Sequence, residues 1–162
     1  RSDPMKILAP FQNQPLILST ASWLIGAVDT EETVISKTIP AGILNTDCAL
    51  HIRAQGTLAG GGAWNKTVQI ELGGVNIGGV SATSVGSWAL EAWIFFQTTS
   101  VARYSRRVDH SVDGVSILDN SVTGLSITSA TTLKLLARNA GSEVNSIVCR
   151  GFAASLMKGS LL

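Results

Sequence analysis

Between Cys48 and Gly56 the side chains Cys48, Leu50, Ile52 and Ala54 are apolar at every second position, while His51, Arg53 and Gln55 fill the gaps. Successive side chains of an extended chain point to opposite sides, so this rhythm builds a strand with one buried and one wet face. A half-buried strand needs a second layer to cover it, and the same rhythm returns in Val68, Ile70 and Leu72 against Thr67, Gln69 and Glu71. The pattern therefore leads to an all-β sandwich or barrel.

Ahead of that core, Arg1 to Pro4 before Met5 reads as a cloning remnant. The stretch Met5 to Pro15, with Pro10, Pro15 and the polar Gln12-Asn13-Gln14, reads as an extended arm of the kind that reaches a neighbouring subunit. Lys6-Ile7-Leu8-Ala9-Pro10 is too short for the apolar region of a signal peptide, so export by that route is not expected. The organisation expected is residues 1–18 as remnant and arm, then one domain over 19–162.

Strand readings follow at Ser19 to Val28 and Thr33 to Ile39, joined by the acidic turn Asp29-Thr30-Glu31-Glu32. Cys48 to Gly56 and Val68 to Leu72 read as a hairpin around the loop Gly60-Gly61-Gly62-Ala63-Trp64. Val75 to Ile77 reads as a small edge strand between the turns Gly73-Gly74 and Gly78-Gly79. Ser87 to Gln97 reads as a strand buried on nearly both sides, although Ala89-Leu90-Glu91-Ala92 also suits a helix. Thr99 to His110, two short strands within Val115 to Ser129, Thr131 to Ala137, and Glu143 to Met157 complete the series. So many short antiparallel strands fit a jelly-roll β-sandwich, two sheets packed face to face.

Only 14% of the 162 residues are charged, while 18 Ser and 14 Thr supply the polarity. With a mean hydropathy of +0.30 and no long apolar run, the chain is expected to cover part of its surface with further copies of itself and not to insert into a membrane. A net charge of +1 lacks the electrostatic footprint of a nucleic-acid partner. Cys48 and Cys149 lie in apolar alternating runs and read as reduced core residues, a mutual disulfide being the alternative.

The candidate chemistry is sparse. His51 and His110 are the imidazoles available to activate a nucleophile, yet no Gly-x-Ser-x-Gly pattern occurs, and His51 falls on the polar side of its strand. Asp109, His110, Asp113 and Asp119 have neither calcium-loop nor zinc-site spacing. Among the glutamates, Glu31 and Glu32 sit in a turn and Glu71 on a wet face, which leaves Glu91 as the one that a glycan-hydrolysing pair would use. No cofactor, metal or catalytic residue is assigned. Alternation places Arg103 and Arg107 on one face, about 13 Å apart along a strand, with Tyr104 and Arg106 on the other. Trp64, in its glycine loop, reads as a core anchor, as an intersubunit contact, or as a flat apolar face for a sugar. The ligand-binding candidates are therefore Trp64, Tyr104, Arg103 and Arg107.

Ile39-Pro40-Ala41-Gly42, Leu50-His51-Ile52-Arg53-Ala54, Asn65-Lys66-Thr67-Val68-Gln69-Ile70, Leu72-Gly73-Gly74, a Trp-rich strand and Ser126-Ile127-Thr128 succeed one another along the chain. That succession, from Thr30 to Phe152, resembles the jelly-roll domains of tailed-bacteriophage virion proteins of the head-fibre, capsid-decoration and tail-fibre types. No coiled-coil stalk is present, unlike in a complete fibre. The resemblance implies a non-enzymatic structural protein, assembled in the host bacterial cytoplasm and carried on the virion surface as a homotrimer among other virion proteins. Its alternative is a receptor-binding head domain that holds cell-surface glycans through Trp64 and Tyr104. A glycan-degrading enzyme built on Glu91 is the third reading.

Overall fold

The computed structural model describes residues 9–19, 22–25, 30–60, 65–141 and 146–160. They form β1 (Ala9–Ser19), β2 (Trp23–Ile25), β3 (Glu32–Ile39), β4 (Cys48–Leu58), β5 (Lys66–Leu72), β6 (Val75–Ala82), β7 (Gly86–Phe96), β8 (Val101–His110), β9 (Gly114–Thr123), β10 (Thr131–Asn139) and β11 (Ile147–Ser160). The larger, seven-stranded sheet runs β1-β11-β4-β7-β8-β9, with β2 also paired to β11; the four-stranded sheet runs β3-β10-β5-β6. Every strand pair is antiparallel. The architecture is a β-sandwich.

The period-two pattern sets the core. Leu50, Ile52, Leu90 and Ile94 of the large sheet face Ile70, Leu72, Leu133 and Leu135 of the small one, all essentially without solvent contact. Each such aliphatic side chain contributes roughly 1.5–3 kcal/mol on removal from water. The segment Ser87 to Gln97 is a strand, because its Trp, Ile and Phe side chains favour a pleated surface over the helix that Ala-Leu-Glu-Ala alone would permit. It is buried on one side only: Phe95 remains 49% exposed on the other.

Four further readings are corrected by the pairing. β4 and β5 do not form a hairpin: β4 pairs with β11 and β7, while β5 pairs with β10 and β6. The intervening chain thus joins one sheet to the other, and the apolar faces of both strands meet in the shared core. Val75 to Ile77 extends into the eight residues of β6, and Gly78-Gly79 is not a turn. Gly78, at φ 111°, sits where the β5–β6 register shifts. The true turn is Gly73-Gly74, both at positive φ, as a two-residue hairpin of this twist demands. Lastly, β9 is one continuous strand through Asp119-Asn120, because every residue from Gly114 to Thr123 pairs with β8.

The polar, proline-containing segment before Ser19 supplies β1, an outer strand on β11 with register shifts on either side of its central run. Cys48 and Cys149 are free and buried. Cys149 lies opposite Gly56, so the two thiols stand about 27 Å apart along β4 and cannot bond within the chain.

Candidate functional site

Because β4, β7 and β8 pair in unbroken register, and β11 keeps a single register with β4 from Gly151 to Lys158, their outward side chains line up in rows across the large sheet. One row reads Leu18, Ala153, Arg53, Glu91, Arg107, Ile117; the next reads Pro15, Ser155, His51, Trp93, Ser105, Asp119. Sequence alternation puts each of these side chains on the outer face, and strand order makes them neighbours.

At the centre, His51 Nε2 lies 2.7 Å from Glu91 Oε1, and Arg53 Nε lies 3.8 Å from the same oxygen. The His51 and Trp93 rings stack with centroids 3.9 Å apart. Arg107 Nη2 reaches Asp109 Oδ2 at 3.4 Å. Beside this cluster runs a trough of about 560 Å³. Ala89, Gly151 and Ala153, small side chains, line it together with Leu18, Arg53, Gln55, Glu91, Arg107, Asp109 and Arg150. The register shift between Cys149 and Gly151 leaves Arg150 as the extra residue of a bulge, which swings its exposed guanidinium towards the trough.

The residues singled out from sequence separate. Arg107 lines the trough, whereas Arg103 lines a second depression of about 500 Å³ with Phe95, Asp119 and Ser121, to which the largely buried Tyr104 also contributes. Tyr104 points the other way and is 8% exposed within the core, so its ring offers no platform to a large ligand. Alternation had already placed it opposite the two arginines. Trp64 lies outside the described residues. Arg53, Glu91, Trp93 and Arg150 belong to the face but were not chosen as ligand contacts: their grouping depends on β4–β7 and β4–β11 pairing, and Arg150 on a bulge, which no local pattern announces.

Neither described imidazole holds a nucleophile. His51 Nε2 is occupied by Glu91; His110 Nδ1 lies 2.9 Å from Asp113 Oδ2, and its Nε2 is buried without a hydrogen-bond partner among the described residues. Ser84 donates to the same Asp113 carboxylate, so this group fastens the β8–β9 turn to the segment before β7. Glu71, the wet-face glutamate, accepts from Lys134 at 2.8 Å on the outer side of the small sheet. Burial pushes both thiols up from their ordinary pKa, partly offset at Cys48 by the Asn45 backbone and at Cys149 by the Gly151 backbone.

No protein-family pattern and no curated protein matches the chain. Among solved structures, the CBM2 module of the evolved Dit of Lactobacillus casei BL23 phage J-1 aligns over 95% of this chain and 100% of that one, with a TM-score of 0.48 and 11% identity.

Proposed function

We propose that the chain is a non-enzymatic bacteriophage particle protein that uses the outer face of its large sheet to hold a saccharide on the host surface. The observation that carries the binding role is the trough beside the His51–Trp93 stack. Forked guanidinium donors, carboxylate and amide acceptors, and a floor of small side chains converge there on paired strands. Such a surface offers a sugar hydroxyls' worth of hydrogen bonds with little rearrangement on binding. The particle setting rests on the sequence resemblance. A jelly-roll reading of the sandwich is supported by its wiring, in which β2, β11, β4 and β7 nest against β3, β10, β5 and β6. The decisive experiment is a glycan array probed with the purified chain and an Arg53→Ala variant. Selective retention of a glycan, lost in the variant, is expected; a blank array overturns the proposal.

A second reading, an oligomeric structural role, is favoured by a separate observation. Among the described strands with a free edge, β1 carries prolines and register shifts, β2 is only three residues long, β3 carries Glu32 and Lys37, and β6 carries Gly78 and a register shift. β9 is ten residues long, carries no proline or bulge and a single charge, Asp119, and exposes Val115, Ile117 and Leu118. A long, regular edge with exposed apolar side chains pairs readily with another strand, which suits the expected trimer.

A further inference from the structure

We infer that the saccharide taken by this trough is acidic, carrying carboxylate or phosphodiester groups; this rests on the saccharide-binding reading above. Three guanidiniums, Arg53, Arg107 and Arg150, face the trough against two carboxylates, Glu91 and Asp109. The acids are already engaged. Glu91 lies 2.7 Å from His51, so Arg53, at 3.8 Å from the same oxygen, has only a share of it. Arg107 meets Asp109 at 3.4 Å, the long end of an ion pair, with both groups about half exposed. Arg150 makes no ion pair among the described residues and is thrust outward by the β11 bulge.

A neutral ring settled into the trough would take water from these cations and return no counter-charge, which is costly. A carboxylate or phosphate oxygen pair fits the planar fork of a guanidinium bidentately and restores the balance. Arg53 and Arg107 flank Glu91 from adjacent strands and so stand about 10 Å apart at their roots, with Arg150 beyond Gln55 at the far side. Cations spread along a trough, rather than gathered at a point, match an extended polymer with recurring anionic groups better than a single small anion.

The experiment measures binding of the intact chain to three immobilised polymers: neutral dextran, polygalacturonate and poly(glycerol phosphate). The proteins compared are the wild type, Arg150→Gln, and Lys37→Gln as an exposed cation on β3 outside the trough. The expected result is at least about tenfold tighter binding of one or both acidic polymers than of dextran, weakened about fivefold by Arg150→Gln, unaffected by Lys37→Gln, and reduced by added salt. The two acidic polymers separate carboxylate from phosphodiester recognition. Dextran held as tightly as the better bound of the two acidic polymers, or equal losses in the two variants, overturns acidic selectivity while leaving the saccharide reading in place. No binding to any polymer, together with a blank glycan array, removes that reading as well. Because Arg150 is exposed and makes no ion pair among the described residues, its variant keeps the wild-type circular dichroism, and a binding loss reports the trough itself.

Discussion

The imidazole of His51 and the indole of Trp93 stack across β4 and β7, ring centroids 3.9 Å apart and planes inclined by only 14°. The stack exists because position 51 on β4 stands directly opposite position 93 on β7, and Glu91, one outward position away, fixes the imidazole with a 2.7 Å hydrogen bond. One face of the indole is thereby covered and the ring held upright on the sheet. His51→Ala removes the stack and the bond together. It is expected to lower stability by about 1–2 kcal/mol in urea titration and to shift tryptophan emission to the red. An unchanged midpoint would show that the contact is incidental.

Gly56 tests the packing between β4 and its neighbours. A Cβ at that position would be driven into the Val148 carbonyl oxygen and would lie 2.8 Å from Trp88 Cζ2. Neither can yield, the first being backbone of a paired strand and the second a buried indole. Gly56→Ala is expected to cost about 3 kcal/mol or more. Gly114→Ala, where a Cβ meets nothing within 4 Å but φ is 85°, should cost about 1 kcal/mol by backbone strain alone. Equal losses in the two variants would refute the steric argument.

Much of the fold was legible because burial is one-sided. Wherever apolar and polar residues alternate, as in β4 and β5, strand type and inward face followed directly. Pairing did not follow. Nothing local distinguishes a glycine-rich loop that closes a hairpin from one that crosses between sheets, and the β4–β5 connection is of the second kind. The candidate site was half readable for the same reason. Arg107 was recognisable as an outward cation on β8, but its neighbours Arg53 and Glu91 are 54 and 16 residues distant in sequence and join it only through strand order. Tyr104, chosen for its chemistry, illustrates the converse: its parity within β8 sends it into the core.

The cysteines carry a pH dependence. Desolvation raises both thiols above the ordinary value of 9.0, so the folded state binds their protons more tightly than the unfolded chain. Their contribution to stability is therefore complete below pH 9.0 and is lost as pH rises through the folded-state values. Unfolding free energy should fall above that point, and less steeply in a Cys48→Ala/Cys149→Ala double variant. At neutral pH, native-state reaction with a thiol reagent should be many times slower than in urea. Rapid labelling of the native protein would contradict the burial.

Ile117 is 67% exposed on β9, in line with Arg107 and beside Val115. Ile117→Lys places a charge on the unprotected edge at little cost to the fold, within about 0.5 kcal/mol. If β9 is where copies meet, light scattering should show the wild-type oligomer dissociating in the variant while thermal unfolding of the diluted protein stays the same. The same mass for both proteins would move self-association away from this edge.

Lys66 offers the reverse test, a charge whose removal should help. It opens β5 on the inward side, 1% exposed, opposite Asn139 on β10 and Ala82 on β6, and its Nζ has no hydrogen-bond partner among the described residues. An ammonium taken out of water and left unpaired costs more than its aliphatic stem returns. Lys66→Met keeps the stem's length and its packing against the sheet while deleting the orphan group, so it is expected to raise stability by about 1–3 kcal/mol. Lys66→Ala removes the packing as well and should lose that gain to the cavity it leaves. A methionine variant less stable than the wild type would mean that the ammonium satisfies itself in solution, and the polar end of the sandwich core would then be a designed feature of the fold.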